Sequence, residues 1–212
     1  DPGVSTTDRI FIEANVNANI TLAGVNIDVS RKDDAPALQI ADNSQGNVAI
    51  TLASGTKNRL CSGLKFAGLQ KSGNVGTLVI RGTGALYCQG GYGAGIGGGD
   101  ERAGCGITIE SGDIELKSTQ GAGIGGGRNG NGQGIRIRGG KVTATMTGDS
   151  AGIGGGTALS CNALQGNGID IEISGGEVTV VCAPNKRGSA IGGGFCGAGK
   201  NIVISGGKVK VA

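Results

Sequence analysis

Apolar and polar residues alternate in short runs along this chain. Ile107-Thr108-Ile109, Ile135-Arg136-Ile137, Ile171-Glu172-Ile173 and Ile202-Val203-Ile204 each set two aliphatic side chains on one side of the backbone. A Gly turn follows each run (Ser111-Gly112, Gly139-Gly140, Gly175-Gly176, Gly206-Gly207). A second alternating run comes next: Ile114/Leu116, Val142/Ala144, Val178/Val180 and Val209/Val211. A period of two with one apolar face marks a β-strand buried on one side. The string Ala-Gly-Ile-Gly-Gly-Gly precedes these pairs at Ala94–Gly99, Ala122–Gly127 and Ala151–Gly156, and Ala-Ile-Gly-Gly-Gly does so at Ala190–Gly194. Its isoleucines, Ile96, Ile124, Ile153 and Ile191, are 28, 29 and 38 residues apart. Weaker copies lie upstream at Ile20-Thr21-Leu22, Ile50-Thr51-Leu52 and Leu78-Val79-Ile80. Aligning Leu22, Leu52, Ile80 and Ile109 gives steps of 30, 28 and 29. Pro36-Ala37-Leu38 and Ala67-Gly68-Leu69 stand where later units carry Ala-Gly-Ile.

This pattern predicts seven units close to 29 residues long, each holding three short strands and three turns. Stacked units put like beside like in parallel sheets with rungs about 4.8 Å apart. The expected architecture is an all-β, single-stranded parallel β-helix of about seven coils, right-handed by the crossover rule, formed by residues 1–212 as one domain. A propeller needs four strands per blade of about 40 residues, more than these units contain. Charges suit the stack: Asp113, Lys141, Glu177 and Lys208 open successive second strands with alternating sign, and Arg136 would face Glu172. Thr157–Gly168 and Ala183–Gly188 are expected to project as longer loops. The chain starts without a visible leader and ends inside a strand without a polar cap. The first is expected of a piece excised from a larger surface protein; the second, of a chain whose last coil meets a neighbouring domain or associates with a partner.

Composition narrows the function classes. Of 212 residues 47 are Gly, which excludes long helices, and Gly lacks the triplet period of collagen. Apolar residues make up 37%, enough for a core of small and β-branched side chains. No apolar run is long enough to span a membrane as a helix. The net charge of +3 is too small to argue for nucleic acid. The absence of His removes His-based triads, His metal sites and His general bases. The Gly strings allow two readings: a tight corner that only Gly can turn, or an outer strip bare of side chains that an extended ligand could approach.

Six cysteines in a helix-poor chain point to disulfides and an oxidising compartment. Counted from the strands before them, Cys61 and Cys88 fall at stacked positions, and Cys161 and Cys196 both follow a Gly corner in neighbouring coils. The expected bridges are Cys61–Cys88 and Cys161–Cys196, with Cys105 and Cys182 as thiols.

The stretch from Ile50 to Leu60 (Ile-Thr-Leu-Ala-Ser-Gly-Thr-Lys-Asn-Arg-Leu) resembles the signature of clostridial carbohydrate-binding β-helix proteins. The Gly-Ala-Gly-Ile-Gly-Gly-Gly units resemble repeats of large surface proteins from gut Firmicutes. The resemblance implies a non-catalytic carbohydrate-binding or adhesion module, secreted or on a bacterial cell surface. Its implied partner is a polysaccharide, acidic sugars included, with calcium in some cases and no other cofactor. The signature residues themselves read as turn formers: Gly55 supplies a positive φ and Asn58 bonds backbone. A passive stalk is the alternative function. A lyase or hydrolase is disfavoured, because no pair of carboxylates is set to face one bond. The candidate sugar site gathers Tyr87, Tyr92, Asp100, Glu101 and Arg102 at one corner, with Arg128, Asn129 and Asn131 at the same corner of the next coil.

Overall fold

The computed structural model describes residues 3–31, 35–161 and 165–212. These residues form a parallel β-solenoid of seven turns with no helix. Every coil gives one strand to each of three sheets. The first sheet stacks Ile10–Ile12, Leu38–Ile40, Leu69–Lys71, Ile96–Gly97, Ile124–Gly125, Ile153–Gly154 and Ile191–Gly192. The second runs from Ala18–Leu22 through Asn47–Leu52, Thr77–Gly82, Ile107–Ile109, Gly132–Ile137 and Gly168–Ile173 to Gly199–Ile204, with Gly104–Cys105 paired beside it. The third runs from Asn26–Asp28 through Lys57–Cys61, Ala85–Gln89, Asp113–Ser118, Lys141–Met146 and Glu177–Cys182 to Lys208–Val211. Of the two loops expected to project, residues 183–188 are half-buried to exposed. Part of the other, residues 162–164, lies outside the described residues.

The core is a set of aliphatic ladders. Ile96, Ile124, Ile153 and Ile191 pair rung on rung. In the second sheet Ile20, Ile50, Ile80, Ile109, Ile137, Ile173 and Ile204 make one column through all seven coils. Ile50 through Ile173 are fully buried. Burying one such side chain is worth roughly 1.5–3 kcal/mol. On the outer face, Asp113, Lys141, Glu177 and Lys208 pair in sequence as expected. Lys208 reaches Glu177 at 3.2 Å, and Arg136 reaches Glu172 at 3.6 Å. These exposed pairs contribute at most about 1 kcal/mol each and serve mainly to mark register.

Two register details depart from the sequence reading. Leu52 pairs with Gly82, not Ile80, because Ile50 is the partner of Ile80. A slip of two residues keeps every side chain on its face, so alternation alone cannot detect it. The following corner is two residues longer in the second coil than in the third, which cancels that slip. The offset that remains is in the spacing itself, nine residues from Leu52 to Cys61 against eight from Ile80 to Cys88, and it places Cys61 opposite Gln89 and Cys88 opposite Leu60. Cys88 therefore points into the core with Leu60 and Leu116, while Cys61 belongs to the outward set with Arg59. The two lie on opposite faces of one sheet, and both are free, buried thiols. The expected Cys61–Cys88 bridge does not form. Loss of hydration pushes the Cys61 thiol up to about 11. Cys161 and Cys196 do form a disulfide, with their Cα atoms 4.7 Å apart, while Cys105 and Cys182 are free.

One inward column carries a charge. Lys71 pairs with Ile40, which pairs with Ile12, so a lysine takes the place of an isoleucine and is only 2% exposed. Its Nζ donates to the Val75 carbonyl at 2.6 Å. Burial lowers its pKa, opposed by the nearby Cys105. The unfolded chain therefore binds this proton more tightly than the folded one. Stability from this group is missing at neutral pH and is gained as pH rises through the depressed folded value toward the ordinary lysine value near 10.4. Lys71→Met should be at least as stable as the parent at pH 7. The difference between the two proteins should shrink between pH 7 and pH 10.5 in paired denaturant titrations. A constant difference would show that the amine's ionisation is irrelevant.

Candidate functional site

The Gly strings do not pave an open surface. Gly97, Gly125, Gly154 and Gly192 are buried, with φ between +131° and +136°. A Cβ at Gly97 would meet the carbonyl oxygen of Gly125, one at Gly125 that of Gly154, and one at Gly154 that of Gly192. The corner closes because backbone rests on backbone, and of the two readings only the tight corner holds.

Beside these corners the chain makes an outward excursion, and excursions of successive coils stack. Tyr92 N–H donates to Leu64 O at 2.6 Å, Asp100 N–H to Lys65 O at 2.7 Å, and Glu101 N–H to Arg128 O at 2.8 Å. Arg128 is the clasp. Its Nε and Nη2 donate to the two carboxylate oxygens of Asp100 at 2.8 and 2.6 Å, and its guanidinium lies 4.0 Å from the centroid of the Tyr92 ring. The pair is well shielded, with 19% and 12% of the side chains exposed. The bond to Asp100 raises the Arg128 pKa. A bidentate, half-desolvated pair of this kind is fixed in geometry.

The structure brings together five of the eight side chains singled out from the sequence as a continuous corner: Tyr92, Asp100, Glu101, Arg102 and Arg128. It gives the other three different work. Tyr87 stands on the third sheet between Arg59 and Glu115, with the Arg59 guanidinium 4.6 Å from its ring centroid and its hydroxyl donating to Gln89 Oε1. Asn129 Oδ1 accepts from Leu159 N–H at 2.8 Å. Asn131 Oδ1 accepts from Asn167 N–H at 2.9 Å, and Asn167 repeats this contact with Ala198 N–H one coil on. Both asparagines are spent on joining coils.

The corner opens into a groove of about 330 Å³ lined by Asp42, Lys65, Phe66, Gln70 and Gly99 with Asp100–Arg102. Phe66 is half-buried and, unlike Tyr87, Tyr92 and Phe195, has no guanidinium over its ring among the described residues. The side chains of Asp42, Lys65, Glu101 and Arg102 make no hydrogen bond or ion pair with another described residue. Gln70, almost fully buried, forms part of the floor. An aromatic face among unengaged donors and acceptors is the composition of a small-ligand site. Among the described residues no cluster of three His, Cys, Asp or Glu is placed to hold a metal ion.

Glu101 holds a left-handed conformation, φ +60°, which costs a non-glycine residue roughly 1–2 kcal/mol. The neighbouring coil puts Asn129 at the same place with φ +58°. Asn tolerates this region, so Glu101→Asn should raise the melting temperature by a few degrees, about 0.5–1 kcal/mol, in a thermal scan. A lower melting temperature would mean that the Glu101 carboxylate supports the corner.

Fold and groove together define a β-solenoid with a lateral polar cleft. Residues 3–212 match the family model described as carbohydrate-binding domain-containing protein, and the chain belongs to that family. No curated protein and no solved structure matches the chain.

Proposed function

We propose that the chain is an extracellular, non-catalytic module that binds a glycan in the groove beside Phe66. The observation that carries this reading is the open Phe66 ring within a ring of unengaged polar side chains, in a chain of a carbohydrate-binding family. The C–H face of a sugar ring fits an aromatic π-face, and its hydroxyls fit mixed donors and acceptors. Lys65 and Arg102 balance Asp42 and Glu101, so the groove is suited to hydroxyl recognition rather than to an acidic sugar. Asp100 is engaged by Arg128 through both oxygens and is not free to shuttle a proton. Asp42 and Glu101 are the unengaged carboxylates of the groove, and the sugars' survival on prolonged incubation is what tests the non-catalytic reading. The Cys161–Cys196 disulfide fits an oxidising, extracellular setting.

The test is calorimetry against neutral and uronate oligosaccharides with no change in the sugars on prolonged incubation. Phe66→Ala should weaken binding about tenfold or more at unchanged melting temperature. Tyr92→Ala should instead lower the melting temperature, with the folded protein binding nearly as the parent does. A protein that retains no oligosaccharide, or a Phe66→Ala variant that binds like the parent, would overturn the assignment.

A further inference from the structure

The first sheet continues beyond this groove toward the first coil, and its outward column changes character there. Phe11 pairs with Gln39, and Gln39 with Gln70, the residue on the floor of the Phe66 groove. From the fourth coil on, the same column is Gly97, Gly125, Gly154 and Gly192. Side chains that reach the surface on this column are therefore confined to Phe11 and Gln39, with Gln70 beneath them at the floor of the groove.

Phe11 is 59% exposed although it sits between Ile10 and Ile12 in a strand. Its ring has no guanidinium or aromatic partner among the described residues. It forms one wall of a cavity of about 600 Å³ whose other walls are Asp8, Arg9, Pro36 and Gln39. Arg9 and the Gln39 amide make no bond with another described residue, and Asp8 accepts only from Thr6. The wall is anchored at both ends. Thr6 N–H donates to Asn26 O at 2.9 Å, Thr6 O accepts from Asp28 N–H at 3.0 Å, and Ile10 N–H donates to Ala37 O at 3.0 Å. The segment that carries Asp8, Arg9 and Phe11 is thus fixed at both ends by backbone pairing.

The two cavities share a kind of lining: an uncovered phenylalanine ring, a glutamine from the same column, and unpaired cations matched by carboxylates with spare acceptor capacity, one of each at Phe11 and two of each at Phe66. We infer that Phe11, Arg9, Asp8 and Gln39 form a second sugar subsite, and that the ligand is an oligosaccharide lying along the solenoid axis from Phe11 to Phe66. This rests on the glycan-binding reading of the Phe66 groove and deepens it. Phe11 and Gln70 are two rungs apart, roughly 10 Å, so a single sugar ring cannot serve both sites and chain length becomes the discriminating variable. A continuous ligand gains from joining two weak sites on one rigid face, because the second contact is made at high effective concentration.

The experiment compares disaccharides and hexasaccharides of the cello-, xylo-, manno- and galacto-series by calorimetry. The proteins are the parent chain, Phe11→Ala and Phe66→Ala, each checked for an unchanged melting temperature. In the series that binds, the hexasaccharide should bind at least about tenfold tighter than the disaccharide to the parent. Phe11→Ala should erase that advantage and leave disaccharide binding unchanged, while Phe66→Ala should weaken both. Equal affinity for the two lengths, or a Phe11→Ala variant that keeps the advantage, overturns the second subsite while the Phe66 groove stands. If no series binds the parent at all, the glycan-binding reading falls and takes the subsite with it.

Discussion

Gly125→Ala should lower the melting temperature by about 4–24 °C, corresponding to roughly 2–6 kcal/mol for a chain of this size. Two costs add at this position. The φ of +132° is one that a side chain rarely adopts, worth about 1–3 kcal/mol. The new Cβ would also press on the carbonyl oxygen of Gly154, which accepts the Gly126 N–H at 2.9 Å. Backbone cannot rotate away as a side chain can, so relief requires parting the Ile124 and Ile153 rungs, with an overpacking cost of roughly 1–3 kcal/mol. Gly24→Asn is the matched control: φ is +84° and nothing lies within 4 Å of a Cβ there. It should melt within about 2 °C of the parent. Similar melting of the two variants would show that corner closure does not depend on bare backbone contact.

Asn58→Ala should cost roughly 2–4 kcal/mol, read as a lower midpoint in urea with an unchanged slope. Asn58 is 2% exposed and joins three coils. Its Oδ1 accepts from Gly24 N–H at 2.9 Å and Val25 N–H at 3.0 Å, and its Nδ2 donates to Ala85 O at 3.0 Å. Truncation strands two donors and one acceptor. An alanine variant as stable as the parent would mean that water replaces the amide without loss. This asparagine and Gly55, with φ +73°, belong to the stretch that carried the family resemblance. Their work is to build the coil, so that stretch announces the architecture and leaves the ligand to other residues.

The coil itself was legible because its physics is local. Alternation marks each strand, and a Gly that must take positive φ marks each corner, so the Ile96–Ile124–Ile153 column follows from spacing alone. Register was harder. A two-residue shift between Leu52 and Gly82 preserves the buried face and a two-residue change in the next corner cancels it, so the faces of Cys61 and Cys88 were decided by a single residue of spacing, nine from Leu52 against eight from Ile80. The site was half legible. The Asp100–Arg128–Tyr92 corner followed from stacking like loops, but a sequence shows the type of an aromatic ring and not what covers it. Arg59, Arg128 and Arg187 stand over Tyr87, Tyr92 and Phe195. Phe11 and Phe66 remain open. The outward parity of Phe11 within Ile10-Phe11-Ile12 was visible in the chain and marked it as a residue that the core does not use.

The alternating charges on the third sheet have a consequence for assembly. Units this alike could close with one omitted, and the aliphatic column would hardly register the error. Leaving out the coil of Lys141 would seat Asp113 against Glu177, and leaving out that of Glu177 would seat Lys141 against Lys208. Either mistake sets like charges face to face on adjacent strands, which is destabilising. The sign pattern acts as a parity check on coil order, rejecting a skipped turn that shape alone would accept.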